Sequence, residues 1–329
     1  MMRYMLKSHL RSRYMFDVIF NAKKLLGKIP VNTELKEYYE QIIKIFVESE
    51  LSYLNLDKLN SIIIPDDFLQ DVLDFQHGKG LANPNVTNTK YARAYGKMLY
   101  VPEEDSYYVF VDADKATFMI DDRIFEVFFS GLTEDDYEQC LMERKQAFNL
   151  LAHELSHVEL ESNISIDVST ETLQEQEASM WKQIFEEYYA CRRASRIYGD
   201  GSIIQHNEDY LNDIESEIMT QRRRYNYRKI GLDNFCKVFH QYARMSLIYV
   251  VSELGCSKEL NFEVTYENVK VGKYILDLNN EFNEMYEMVC SEGRLIVSEK
   301  LIKLAFDYFA EFRIFISETE KGIRYDIPV

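Results

Sequence analysis

The run Leu150-Leu151-Ala152-His153-Glu154-Leu155-Ser156-His157-Val158 constrains this chain more than any other stretch, because it sets His-Glu-x-x-His inside apolar, helix-favouring sequence. Two histidines four residues apart on a helix project from one face. Both imidazoles can then reach one Zn²⁺, while Glu154, about 100° round the helix, can reach a water on that ion. A shuffle of the same composition produces the pattern in roughly one chain in a hundred. Phe148, Leu151, Leu155 and Val158 recur at spacings of three and four and form an apolar stripe. His153 and His157 fall nearly opposite that stripe, so the spacing predicts a helix buried on both sides. The plain alternative is a pair of satisfied or exposed histidines on an ordinary core helix.

At 329 residues with 47% hydrophobic content, the chain can build two domains, or one large domain with an appended bundle. Its 38 basic and 55 acidic residues leave a formal charge of −17. That charge repels phosphate backbones, argues against general nucleic-acid binding and favours a basic or neutral partner. The five cysteines, Cys140, Cys191, Cys236, Cys256 and Cys290, are scattered and include no Cys-x-x-Cys. Such usage suits a reducing cytosol and argues against a disulfide framework or a thiolate zinc site. Met1 to Phe20 has no apolar core of signal-peptide length, and nowhere is there an uncharged run of about 18 residues. The expectation is a soluble, cytoplasmic protein with no membrane partner.

The pattern along the chain predicts an α+β, mostly helical fold. Residues 1–76 read as an N-terminal helical region, with helices over 3–26 and 33–49, the second capped by Thr33. A short helix follows Pro65-Asp66-Asp67 to about Phe75. From His77 to Lys90 the glycines, asparagines and Pro84 read as a loop or linker. Residues 90–200 form the expected core. Lys97 to Val101, Tyr107 to Val111 and Ala116 to Ile120 favour strands and predict a small antiparallel sheet next to the His-Glu-x-x-His helix. Arg123 to Phe129 adds a strand or begins the next element. Thr133 and Glu134 to Asp136 start a helix that runs through Ala147 into the motif.

Residues 201–329 read as a C-terminal helical domain with helices near 208–227, 232–254, 274–290 and 296–316, punctuated by Gly231, Gly255, Gly272 and Gly293. Their apolar stripes, such as Phe235, Phe239 and Tyr242 or Leu301, Ala305 and Tyr308, predict a bundle. The expectation is that this bundle shapes or covers the zinc cleft; the alternative is that it completes the core or forms a dimer face. Arg222-Arg223-Arg224 with Tyr225, Tyr227, Arg228 and Lys229 is the one basic aromatic cluster. In so acidic a chain it reads as a solvated helix face or internal ion pairing rather than a nucleic-acid contact.

Two histidines need a third protein ligand, with the fourth position left to water. No third histidine follows at a suitable spacing. Met180, Ile184, Cys191, Ala194 and Tyr198 share one helical face, and Glu187 falls on it. A carboxylate on an apolar stripe needs a compensating charge, which zinc would supply. Glu177 also falls on the stripe, ten residues or about 15 Å of rise earlier. A second helix that starts at Ser169 or Thr170 and doubles back at once favours Glu177; a loop through 163–176 favours Glu187. Spacing leaves both open.

His153-Glu154-x-x-His157 followed by Glu187-Tyr188-Tyr189-Ala190-Cys191-Arg192 resembles the gluzincin class of zinc metallopeptidases. Within that class it is similar to the ImmA/IrrE-like bacterial and prophage proteins and to the Glu-x-x-x-Asp pattern of CaaX-processing peptidases. The resemblance covers roughly residues 95–200 and maps the ligand glutamate to Glu187. It implies a zinc peptidase that cleaves a repressor or other regulator, with a protein or peptide as substrate. Cys191 stands where the pattern has aspartate, a departure that removes the usual carboxylate support of a ligating histidine. Glu154 would serve as the general base and later protonate the leaving amine. His206, His240, Tyr188 and Tyr189 are candidate oxyanion donors. Two other readings are a non-catalytic binding or regulatory protein on a metallopeptidase scaffold and a hydrolase of non-peptide amides.

Overall fold

The computed structural model describes residues 16–88, 93–164, 172–199, 204–320 and 322–328. It is an α+β structure, mostly helical, that forms two compact units, Met1–Ser162 and Asn163–Val329.

The first unit is built on a four-stranded mixed sheet in the order β1-β4-β6-β5. Its members are β1 (Asp17–Phe20), β4 (Leu59–Ile64), β5 (Gly96–Val101) and β6 (Ser106–Val111). β1 and β4 run parallel, as do β4 and β6, while β5 pairs antiparallel with β6. The two-residue strands β2 (Lys24–Leu25) and β3 (Ile29–Pro30) make a small hairpin after β1. Parallel strands need a long crossover, and α1 (Thr33–Glu50) supplies it, capped by Asn32, whose side chain accepts from Leu35 N. α2 (Phe68–Gly78), capped by Asp67, packs on one sheet face over Ile63, Leu99, Tyr108 and Phe110. By strand alternation Ile62, Ile64 and Val109 point to the other face, and all three are buried. Tyr39 of α1 stacks on Phe20 of β1. After β6 come α3 (Ala113–Ala116), α4 (Asp122–Phe129) and the 30-residue α5 (Glu134–Asn163). Phe148 of α5 meets Phe46 of α1 with ring centroids 4.4 Å apart. From Ala147 to Leu160 every residue of α5 is buried, so the helix that carries the motif is enclosed on all sides.

The helix expected over 3–26 is replaced at its C-terminal end by β1 and β2, because Asp17-Val18-Ile19-Phe20 finds a partner in Ser61 to Ile64; residues 3–15 lie outside the described residues. The sheet is mixed rather than antiparallel. Ala116 to Ile120 is no strand: Asp112 caps α3 by accepting from Asp114 N, and Thr117 Oγ1 donates back to Ala113 O. Arg123 to Phe129 belongs to a helix, α4. Asn32 rather than Thr33 caps α1.

The second unit contains α6 (Leu173–Ala194), α7 (Glu208–Asn226), α8 (Leu232–Leu260), α9 (Ile275–Glu292) and α10 (Glu299–Ala310). A C-terminal hairpin follows, β7 (Phe315–Thr319) with β8 (Gly322–Asp326), in place of the last turns of the helix expected to reach 316. α6 opens with a capping box in which Thr172 accepts from Glu175 N while the Glu175 carboxylate accepts from Thr172 N. Its core face, Trp181, Phe185 and Tyr188, packs on Phe282 of α9. α6 and α8 approach closely at Gly255, where an added Cβ would stand 2.5 Å from Tyr188 O. Only a residue without a side chain fits there. Beside this contact Arg192 lies over the Tyr286 ring at 3.7 Å and donates to Asn283 Oδ1 at 3.1 Å. No helix among the described residues is long and apolar enough to cross a membrane.

Candidate metal centre

α5 places His153 and His157 one turn apart, both buried, with relative exposures of 7% and 8%. Their Nε2 atoms are 3.1 Å apart and their rings nearly perpendicular, at 83°. Two nitrogens each bound at ~2.0–2.1 Å to one tetrahedral ion would stand about 3.3 Å apart. The same distance serves an N–H···N hydrogen bond when no ion is present. Those nitrogens and a carboxylate oxygen of Glu187, on α6, all lie within 4.8 Å of one another. Among the described residues this is the one group of three metal-ligating side chains gathered so closely. Two imidazoles and a carboxylate are a donor set that suits zinc, with a fourth position for water.

Glu154 is also buried, at 8%, and its side chain lies against Gly96 at the start of β5. Gly96 makes room for it: a Cβ there would stand 2.5 Å from Glu154 Oε1 and 2.6 Å from its Cγ. Gly96 therefore belongs to the site although it carries no functional group. A lone glycine inside a strand-like run signals a close approach of this kind. Further along α5, Ser156 Oγ donates to Ala152 O at 2.7 Å, and Glu159 Oε1 accepts from Asn55 N at 3.3 Å. These bonds satisfy polar groups that an enclosed helix cannot expose.

Glu177, the competing ligand, is left out of the group. It lies on α6 at 4% exposure, and its Oε2 has no hydrogen-bond partner among the described residues. Burial alone pushes its carboxyl up to about 7. α6 starts at Leu173; the alternative start at Ser169 or Thr170 lies outside the described residues. The candidate oxyanion donors are engaged within the second unit. His206 Nδ1 pairs with buried Glu253 at 2.9 Å, His240 Nε2 meets Tyr325 Oη at 2.7 Å, and the rings of Tyr188 and Tyr189 meet that of Tyr286, the first edge-on and the second tilted. Cys191 is buried against Cys256 and Ser252, and its bond to Cys256 together with burial raises its thiol well above the ordinary range. No protein-family model, curated protein or solved structure matches this chain.

Proposed function

We propose that this chain is a zinc-dependent metallopeptidase that hydrolyses a peptide bond in a specific protein substrate, with His153, His157 and Glu187 holding the ion. The observation that carries the reading is the gathering of those three ligand atoms within 4.8 Å, with a buried glutamate, Glu154, next in sequence to the first histidine. What zinc supplies when bound is Lewis acidity, enough to bring the pKa of water towards ~7. Glu154 takes the proton from the attacking water on a carboxylate oxygen and passes it to the departing amine. β5 ends the sheet, and its outward N–H and C=O groups suit an extended peptide added as a further strand. Gly96, the first residue of that strand, abuts Glu154, so a chain paired there would run beside the base. The resemblance to gluzincins of the ImmA/IrrE-like kind supports a regulatory protein as substrate and a cytoplasmic setting, by analogy.

Metal analysis of purified variants tests the assignment. Wild type is expected to bind one zinc per chain, Glu187→Ala to lose it and Glu177→Ala to keep it. Retention by Glu187→Ala with loss by Glu177→Ala would reverse the choice of ligand. Zinc bound tightly by wild type with no cleavage of any protein or peptide in a proteome-derived library would favour the non-catalytic reading.

Gly96→Ala separates the base from the ligands. The methyl group would displace the Glu154 carboxylate, and a displacement of about 1 Å at a reacting group can cost ~10²-fold in rate. Hydrolysis is expected to fall at least about tenfold at unchanged zinc content. Full activity in this variant would mean that Glu154 relocates without consequence.

A further inference from the structure

α4 carries apolar residues on both of its sides. Phe125 is buried and meets Phe129 and, on α5, Tyr137, so one side of α4 is packed against α5. The other side carries Val127 and Phe128, 74% and 69% exposed, and Leu132, in the turn that follows, is 43% exposed. A helix that is apolar all round is ordinarily buried. Neighbouring large apolar side chains left in water mark a contact surface, where scattered single ones do not. The surroundings of this surface bear one sign of charge. From Ile124 to Glu143 the chain holds six carboxylates and no lysine or arginine, and Glu126, Glu134, Asp135, Asp136 and Glu138 are all exposed. Three of these open α5, where the helix dipole favours them; Glu126 and Glu138 have no such role.

We propose that this surface is the docking site of the chain's own first fifteen residues, which lie outside the described part. That segment has the complementary chemistry. It holds Arg3, Lys7, Arg11 and Arg13 and no carboxylate, interleaved with Met2, Met5, Leu6 and Leu10, so it offers apolar groups to Val127, Phe128 and Leu132 and cations to the carboxylates around them. The segment also ends close by. Phe16 is buried under Lys44 of α1, and α4 begins where Tyr38 of α1 hydrogen-bonds Asp121. Lys44 and Tyr38 are less than two turns apart on α1, about 9 Å of rise, and Phe128 stands a similar distance along α4. Fifteen residues reach up to ~50 Å, so the segment spans this path with length to spare. A second copy would set one acidic surface against another, and an anionic membrane would meet the same repulsion. The inference is independent of the metal centre.

A fluorescent peptide of residues 1–15, titrated with full-length chains and followed by anisotropy, provides the test. Wild type, whose surface its own segment already fills, is expected to bind the peptide at least about tenfold more weakly than R3E/K7E/R11E/R13E, in which the resident segment is repelled. Adding V127E/F128E to that variant should weaken the peptide at least about tenfold, and adding E126K/E138K at least about threefold. Should V127E/F128E fail to fold by circular dichroism, E126K/E138K must still weaken binding. A peptide with Met5→Ser, Leu6→Ser and Leu10→Ser keeps every charge and should bind at least about tenfold more weakly. The proposal is overturned if the peptide does not bind R3E/K7E/R11E/R13E at millimolar concentration, if wild type binds it as tightly, if the surface variants bind unchanged, or if the serine peptide binds equally well. Self-association of wild type in sedimentation that V127E/F128E abolishes would assign the surface to a second copy and likewise overturn it.

Discussion

Glu154→Gln is expected to lower kcat/KM for peptide hydrolysis by at least ~10³-fold, within the range for removal of a general base, while zinc content and thermal unfolding stay at wild-type values. The amide has the shape of the carboxylate and fits the same space against Gly96. It cannot accept a proton from water at neutral pH. Because Glu154 is not among the three gathered ligands, the ion should remain. Hydrolysis at the wild-type rate would remove the proposed mechanism. Loss of zinc would instead make Glu154 a ligand.

The second large effect concerns Glu177 and appears in stability rather than activity. Burial raises its carboxyl to about 7 in the folded chain, against about 4.3 in an unfolded one. Between those values the folded state holds the extra proton, so stability must fall as pH rises. It is greatest below about 4.3 and is lost through about pH 7, a total of about 4 kcal/mol. Glu177→Gln removes this dependence and should make the protein more stable than wild type at pH 8 by up to ~4 kcal/mol, with near equality at pH 4.5. His240 acts in the opposite direction, since burial lowers its pKa and its contribution grows as pH rises through the range near 6.5. Both proteins carry that histidine, so the difference between their urea-unfolding curves isolates Glu177. Parallel pH profiles would show that the carboxylate finds a partner when it ionises.

What could be read from the residues alone divides along the reach of the interactions. The motif helix, its start near Thr133, and the later helices are patterns of three and four, set by neighbours in sequence, and they stand in the structure as α5 and α7 to α10. Glu187 was distinguishable from solvent-facing Glu186 by the same periodicity, but not from Glu177, because periodicity fixes the face of a helix and not the level along it. The sheet was far less legible. β1 is four residues long and meets β4 only across the whole of α1, and such parallel pairing leaves no local mark. Phe118, Met119 and Ile120 favour strands individually, yet the cap at Asp112 decides the segment. β7 was hidden within a helical reading because Phe312 and Phe315 continue the stripe of α10 past its end at Ala310. Gly96 carries no chemistry, so only its nearness to Glu154 reveals its part.

An unpaired strand at the rim of a sheet is adhesive. Among the described residues β5 has no strand partner on its outer side, so its backbone donors and acceptors there suit an extended chain, a second copy of β5 included. Its length of six residues, the 3-10 turn at Pro102–Glu104 that ends it, and the charge of Lys97 all restrain such growth. So does the mutual repulsion of molecules that each carry −17. That repulsion is screened beyond about 8 Å at physiological ionic strength. Colloidal behaviour is thereby tied to salt: the edge proposed for substrate capture is best protected from self-association in dilute buffer, and least protected where the charge is masked.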